Sequence, residues 1–368
     1  MAPPSTGLNN PKKILLVHLG GLGDLLLSVP AFRSLRDLFP EAFVTLLACE
    51  GSVELMRSLP HFDRIETIPS RSSEFRGLRF LWHWQPWRSL PTLISLRRER
   101  FDLAINFCEM VSTIGALKMA LLFGIVGAKE TAGRDTEGRG WFLDTRSFEP
   151  YRGEVHEVEY VIRLVEAVGG KELERHPPLE LPLSKEAEEE AEGFLSQQGY
   201  KKGEFFICVN PGGAFNRRWG IGNFQQALLK ILAKANGWVL CMGSLQEIAL
   251  GQQLKQALRD RLILGNGRLS LRASAAILRR SRLLLSNDTG TVHVAAAVGT
   301  PVVVVAGSTD PVRFRPYLPQ NQYILLQKPV ACAPCEKNSC WRRSLDRVTP
   351  EEVAEACLTL LERFGMRR

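Results

Sequence analysis

Long apolar runs are missing from this sequence of 368 residues: no stretch reaches the roughly 18 uncharged apolar residues that a membrane-spanning helix needs. Met1 to Asn10 is polar and Pro-containing and lacks the apolar segment of a secretory signal. It reads as a short disordered lead, and the protein is expected in the cytoplasm. The carboxylates Asp24 and Asp288 are not arranged as a D-x-D pair, so no metal is expected to meet phosphate charge. A fourth zinc ligand at suitable spacing is absent from Cys332-x-x-Cys335-x4-Cys340, which favours a packing role for these cysteines. No RNA- or DNA-binding motif accompanies the arginines, which argues against a nucleic-acid partner.

What is present is the balance of an ordinary soluble globular protein, 45% apolar and 23% charged, with a length that suits two domains. Eight cysteines in a chain expected to be cytoplasmic read as thiols, with Cys49, Cys108, Cys208 and Cys241 beside apolar runs as core positions. A net charge of +8 and a pI near 9.2 ask for an anionic partner. Arginines crowd Arg259 to Arg282, where a solvated face is the ordinary explanation. Between Arg71 and Arg88 they mix with Phe75, Phe80, Trp82, Trp84 and Trp87. Exposed Trp beside Arg suits a lipid interface or a glycolipid acceptor.

Short apolar strands alternate with helical segments, twice over. Ile14–Val17, Phe43–Leu47 and Phe101–Phe107 read as strands, with helices at Leu25–Phe39 and Leu90–Arg100. A Pro-rich stretch, Pro177 to Pro182, then breaks the pattern, followed by a charged helix from Ser184 to Gln198. The alternation resumes with strands at Phe205–Val209, Val239–Met242, Leu262–Leu264, Leu283–Leu285 and Val302–Ala306 and helices between them. A last helix, Pro350–Phe364, has Thr349 as its N-cap. This predicts two doubly wound, Rossmann-like α/β domains, 1–178 and 179–348, with 349–368 as a closing helix. Such sheets bind ligands at the carboxyl ends of their strands, so a cleft between the domains is the expected site.

Three strand-to-helix turns carry the chemistry. Leu19-Gly20-Gly21-Leu22-Gly23-Asp24 stands where a dinucleotide fingerprint would, but Leu26 replaces its third glycine and Asp24 would repel a pyrophosphate. The glycines Gly20, Gly21 and Gly23 would let a substrate approach the backbone. Asp24, ionised at a helix start, suits a general base for a sugar hydroxyl; an ordinary capping Asp is the competing explanation. After Phe205–Val209, Gly212 and Gly213 expose N–H groups, and Arg217 and Arg218 add fixed charge for a phosphate. In Ser286-Asn287-Asp288-Thr289-Gly290-Thr291-Val292-His293, small residues open a helix whose N-terminus attracts an anion. Asp288 can accept from sugar hydroxyls, and His293 lies one turn in. Leaving-group charge would then be met by Arg217 and N–H groups.

These motifs, in this order, resemble bacterial lipopolysaccharide heptosyltransferases, glycosyltransferase family 9. The resemblance runs through Lys13–Val17, Gly21-Leu22-Gly23-Asp24-Leu25, Pro30-Ala31, Phe101–Asn106, Asn210-Pro211-Gly212, Arg217-x-Trp219, Ser286–Gly290 with His293, and Cys332-x-Pro334 with Cys335 and Cys340. It implies a GT-B fold with an acceptor-binding first domain, a donor-binding second domain and a last helix packing back toward the first. It implies an inverting, metal-independent transfer of heptose from ADP-heptose to a lipid-linked acceptor, lipid A–Kdo or a heptosylated core, peripherally at the inner membrane's inner face. By resemblance Asp24 is the base, Asp288 contacts the heptose, Thr289 and Gly290 the diphosphate, and Glu247, by spacing after Gly243, the adenosine. Arg217 stands where the family usually has Lys, replacing a point charge by a planar fork. Gly220 stands where Pro commonly follows the Trp, and Gly20 and Gly21 where some members carry hydroxyl residues. A different nucleotide sugar, or sugar-nucleotide binding without turnover, are the alternatives.

Overall fold

The computed structural model describes residues 10–69, 88–151, 153–174, 177–201, 203–214, 217–331 and 344–364. Most of the aromatic-basic stretch (70–87), Cys332, Cys335 and Cys340 lie outside these residues. The chain divides into two compact units, Met1–Pro178 and Leu179–Arg368.

The first unit runs β1 (Lys13–His18), α1 (Leu22–Leu27), α2 (Val29–Leu38), β2 (Phe43–Cys49), β3 (Arg64–Ile68), α3 (Leu90–Glu99), β4 (Leu103–Asn106), α4 (Thr113–Val126), β5 (Glu130–Thr136), β6 (Thr145–Glu149) and α5 (Glu157–Gly169). Its described strands form one parallel sheet in the order β3-β2-β1-β4-β5-β6. Ile14, Leu15, Leu16 and Val17 are all fully buried. Successive strand side chains point to opposite faces, so both faces of β1 are covered. The single helix expected over Leu25–Phe39 is two helices that meet at Ser28, with Pro30 in the first turn of the second, where its missing N–H costs nothing.

The second unit runs α6 (Lys185–Gln197), β7 (Phe206–Asn210), α7 (Ile221–Lys234), β8 (Trp238–Cys241), α8 (Ile248–Leu258), β9 (Leu262–Leu264), α9 (Leu271–Arg280), β10 (Leu284–Asn287), α10 (Gly290–Ala297), β11 (Val302–Val305), α11 (Pro311–Phe314), β12 (Tyr323–Leu326) and α12 (Pro350–Phe364). Its parallel order is β12-β11-β10-β7-β8-β9. Connections lead one way from β7 and the other way from β10, so the loops after these adjacent strands leave at the point where the winding reverses. That is where open α/β sheets bind ligands. In the first sheet β1 and β4 hold the corresponding position.

Part of the arginine run is not merely solvated. Arg279 and Arg280 pair with Glu188 of α6, Arg280 also with Glu192, and Ser270 bonds Glu190, so α6 docks on α9 through charge. Each such surface pair contributes about 0–1 kcal/mol. The closing helix opens on a reciprocal capping box. Glu352 N–H donates to Thr349 Oγ1 at 3.2 Å, and Thr349 N–H to Glu352 Oε2 at 2.9 Å. Its main packing is against α7, β11 and β12 of its own unit, and Cys357, Leu360 and Leu361 are buried in that core.

Candidate functional site

In the first unit, β1 ends at His18 and the glycine turn leads into α1. Asp24 is exposed, and its Oδ2 accepts the Gly21 N–H at 3.0 Å. The carboxylate therefore caps the helix from its third position, satisfying one of the donors that helix starts leave open. A methyl group at Gly20 would lie 3.1 Å from Asp24 Oδ2 and 2.9 Å from the His18 ring. The turn thus presses on the carboxylate, and glycine is needed at this approach. Cys49 and Cys108 flank the turn: Leu19 N–H donates to Cys108 Sγ at 2.9 Å, and Cys49 Sγ lies 3.6 Å from Leu19 O.

Beside this turn, at the carboxyl ends of the strands, is a buried charge cluster that sequence reasoning missed. Arg134 of β5 is 2% exposed and pairs with Glu149 at 2.5 Å and with Glu157. It also donates to Phe107 O at 3.2 Å, and Thr136 Oγ1 donates to Glu149 Oε1 at 2.6 Å. Burial alone would lower the Arg134 pKa, but Glu157 and Glu149 raise it, so the guanidinium stays charged. His18 has the opposite fate: burial first, then the Arg134 charge, lower its pKa to about 4. The unfolded chain takes up this proton as pH falls below about 6.5, whereas the fold refuses it until about 4. Stability is therefore full above the unfolded value and is lost as pH falls, by roughly 3 kcal/mol for this group. The variant His18→Asn is expected to show a shallower fall of Tm between those pH values than the parent. Parallel curves would show that His18 is not the titrating group.

In the second unit two asparagines clasp the two loops together. Asn287, fully buried, donates through Nδ2 to Pro211 O at 2.9 Å and Gly212 O at 3.0 Å and accepts Trp219 N–H at 3.0 Å. Asn210 donates to Thr291 Oγ1 at 2.7 Å and Thr289 Oγ1 at 3.4 Å. Trp219, 1% exposed, anchors its loop by donating to Val348 O at 3.0 Å. Replacing Asn287 with Ala leaves three buried backbone groups short of a partner. A stability loss of about 2–3 kcal/mol in denaturant titration is the expected outcome. A change below about 0.5 kcal/mol, the size of an ordinary surface substitution, would show that solvent replaces the clasp.

The structure corrects one expectation here. Gly212 N–H donates to Asn210 Oδ1 at 2.9 Å and Gly213 N–H to Glu247 Oε1 at 2.6 Å, so neither amide points at open space. The reason is local: Gly213 has a φ of 112°, and a methyl at Gly212 would sit 2.1 Å from Glu247 Oε1. Glu247 is a second clasp, since its Oε2 accepts Ser244 N–H at 2.9 Å and Oγ at 3.0 Å. Arg218 is drawn into it, donating to Gly213 O at 2.5 Å and lying 3.8 Å from Glu247. Arg217 is half-buried, and its guanidinium has no hydrogen-bond or ion-pair partner among the described residues.

Thr289 is the N-cap of α10 in extended conformation, and Gly290 is the helix's first residue. Asp288, half-buried just outside, accepts a hydrogen bond from the Thr309 hydroxyl of the loop after β11. His293 is buried in the same helix, 6% exposed. The clasps thus bring together Gly212, Gly213, Arg218, Glu247 and Thr289. Asp288, Gly290 and His293 follow from the same strand end. Asp24, Gly20, Gly21 and Gly23 belong to the first unit. Asn210, Asn287 and Thr309 were not singled out from sequence, where a lone Asn or Thr reads as a turn residue. Among the described residues no group of three His, Cys, Asp or Glu side chains is placed to hold a metal. No described helix is long and apolar enough to cross a membrane.

Two parallel sheets, each with ligand loops at its reversal point, define an α/β protein of the GT-B glycosyltransferase class. The model of glycosyltransferase family 9 (heptosyltransferase) matches residues 92–345, and the chain belongs to that family. It is 24% identical to lipopolysaccharide heptosyltransferase 1 of Pseudomonas aeruginosa, over 89% of this chain and 87% of that protein. With lipooligosaccharide heptosyltransferase 2 of Haemophilus ducreyi it shares 23% identity over 95% of this chain and 99% of that one. Among solved structures, the glycosyl transferase family 9 protein of Veillonella parvula superposes with a TM-score of 0.75 at 22% identity, covering 96% and 98% of the two chains. The E. coli ADP-heptose lps heptosyltransferase II gives 0.70 at 19% identity over 96% and 100%. E. coli heptosyltransferase WaaC with ADP gives 0.68 at 18% over 96% and 99%. At these identities the superpositions establish the fold.

Proposed function

We propose that this glycosyltransferase moves a heptose from ADP-heptose to the inner core of lipopolysaccharide, lipid A–Kdo or a heptosylated core, with inversion at the anomeric carbon. The observation that carries the donor half is the pair of clasped loops at the reversal point of the second sheet. They set the Gly212–Gly213 turn against the α10 N-terminus, and Arg217, whose guanidinium has no partner among the described residues, follows that turn in sequence; these groups supply a site for a diphosphate. Relatives named for lipopolysaccharide and a WaaC structure with ADP support the substrates.

In this reading the second unit binds the donor and the first the acceptor. Thr289 and Gly290 hold the diphosphate, Arg217 meets its growing charge as it leaves, and Arg218 fixes the loop. Asp288 accepts from heptose hydroxyls, with His293 behind it. Glu247 uses three of a carboxylate's roughly four acceptor positions on the protein, leaving one for a ribose hydroxyl. Asp24 takes the proton of the attacking acceptor hydroxyl, while Gly20, Gly21 and Gly23 leave the acceptor room. No metal takes part. The enzyme works at the cytoplasmic face of the membrane as a peripheral protein.

Thermal shift against ADP-heptose and UDP-, GDP- and CMP-sugars tests the donor assignment. A ligand at about 100 times its Kd stabilises a protein by about 2.7 kcal/mol. ADP-heptose is expected to give the largest shift. A larger shift with another nucleotide sugar would overturn the donor and leave the fold-based reading of a glycosyltransferase.

A further inference from the structure

Asp288 stands at the carboxyl end of β10, between the loop after β7, clasped by Asn287, and the loop after β11. Thr309 of the β11 loop donates its hydroxyl hydrogen to Asp288 Oδ2. Among the described residues this hydroxyl is the one hydrogen-bond partner of the carboxylate, and no cation pairs with it. Other aspartates near strand ends are fixed by backbone N–H groups and by cations. Asp63 accepts Val44 N–H at 2.7 Å and pairs with Arg36. Asp102 accepts Lys12 N–H at 2.9 Å and Lys13 N–H at 3.0 Å and pairs with Lys129. Asp288 is held far more lightly. Thr309, in contrast, is fixed on both sides. Gln327, just after β12, donates through Nε2 to Gly307 O at 2.7 Å and to Thr309 O at 2.8 Å. The next residue, Asp310, accepts Val312 N–H at 2.9 Å.

We infer that Thr309 is a positioning residue for the donor sugar: its hydroxyl fixes Asp288 so that the remaining carboxylate oxygen meets sugar hydroxyls. The inference rests on the proposed donor site and assigns, within it, what orients the sugar contact. An ionised carboxylate offers about four acceptor positions, and Thr309 fills one. A hydroxyl has a single hydrogen, and this one goes to Asp288, so Thr309 Oγ1 can otherwise only accept. The pair therefore presents acceptors alone. Such a face takes hydrogen-bond donors, as sugar hydroxyls are, and repels phosphate oxygens, which are drawn instead to the N–H groups at the α10 N-terminus. The donor is thereby divided, with diphosphate on Thr289 and Gly290 and sugar on Asp288 and Thr309. Without the Thr309 bond the Asp288 side chain is free to turn away, and a contact misplaced by about 1 Å costs up to about a hundredfold.

The full chain is titrated calorimetrically with ADP and with ADP-heptose, as the parent and as Thr309→Val, which removes the hydroxyl and keeps the side chain's shape. Thr309→Val is expected to weaken ADP-heptose binding about tenfold or more and to leave ADP binding within about twofold, with the parent's Tm. Thr309→Ser keeps the hydroxyl and should bring ADP-heptose binding back to within about threefold of the parent. On an Asp288→Ala background Thr309→Val should add little, because Thr309 acts through Asp288. Three results overturn the inference: Thr309→Val binds ADP-heptose like the parent, loses ADP and ADP-heptose equally, or adds its full loss to that of Asp288→Ala. A parent that binds each nucleotide sugar no more tightly than the bare nucleotide overturns it too, since no sugar then meets the pair. A parent that prefers another nucleotide sugar, with the loss in Thr309→Val confined to the sugar-bearing ligand, upholds the inference and removes heptose from the proposed function. The expected binding pattern in a protein that transfers nothing also upholds it and sinks the transfer reaction alone.

Discussion

Asparagine in place of Asp24 is expected to lower kcat by about 10²- to 10⁴-fold, the contribution of a positioned general base, with little change in stability or sugar-nucleotide binding. The geometry makes this substitution a clean one. Asp24 has two roles open to it, since Oδ2 already accepts the Gly21 N–H at 3.0 Å. An asparagine oxygen can keep that bond, so the cap survives and only proton uptake is lost. Alanine removes both and would cost about 1 kcal/mol of helix capping in addition. Comparing the two variants separates the cap from the base. Rates are read as ADP released from ADP-heptose, and folding as Tm. If Asp24→Asn turns over like the parent, Asp24 is a cap and the base is elsewhere.

Methionine in place of Arg134 is expected to destabilise the first unit by about 3–5 kcal/mol, because it leaves Glu149 and Glu157 buried without their cation. For a unit of this size that corresponds to a fall in Tm of roughly 6–20 °C. The comparison that makes the argument specific is the triple variant Arg134→Met, Glu149→Leu, Glu157→Leu. Two charges out of water are costly even when paired, so an apolar triad of similar volume should recover much of the loss. Should Arg134→Met alone leave Tm unchanged, the cluster is solvated in solution and its burial here is of no energetic consequence. Because Arg134 also lowers the pKa of His18, its removal should shift the acid limb of the stability curve in the same experiment.

The two halves of the chain were unequally legible. In the second unit β7 to β11 are short apolar runs, such as Ile207 to Val209 or Val302 to Val305, and pattern alone located them, while β12 (Tyr323–Leu326) escaped. In the first unit β3, α4, β5, β6 and α5 escaped. The helix α4 is apolar on both faces and has no helical alternation to detect. The strand β5, Glu130–Thr136, carries Arg134 and Asp135 inward, and a buried ion cluster looks in sequence like a solvated loop. The site residues brought forward from sequence all stand at strand-to-helix turns, where glycine and small polar residues are conspicuous. What holds those turns in place does not announce itself. Asn287 reaches Pro211 and Gly212, and Asn210 reaches Thr291, across more than seventy residues. Only the adjacency of β7 and β10 makes them neighbours. The glycine amides thought to face a phosphate are taken up by Asn210, two residues before Gly212, and by Glu247 from the turn after β8.

The central claim is heptose transfer from ADP-heptose, and one measurement addresses it most directly: ADP release by the purified chain supplied with ADP-heptose and, in separate reactions, lipid A–Kdo and heptosylated core, with product mass determined. The account predicts ADP formed in step with an acceptor heavier by one heptose in at least one of the two. No ADP and no heavier product with either acceptor, from a protein that transfers a different sugar from a different nucleotide, would contradict it.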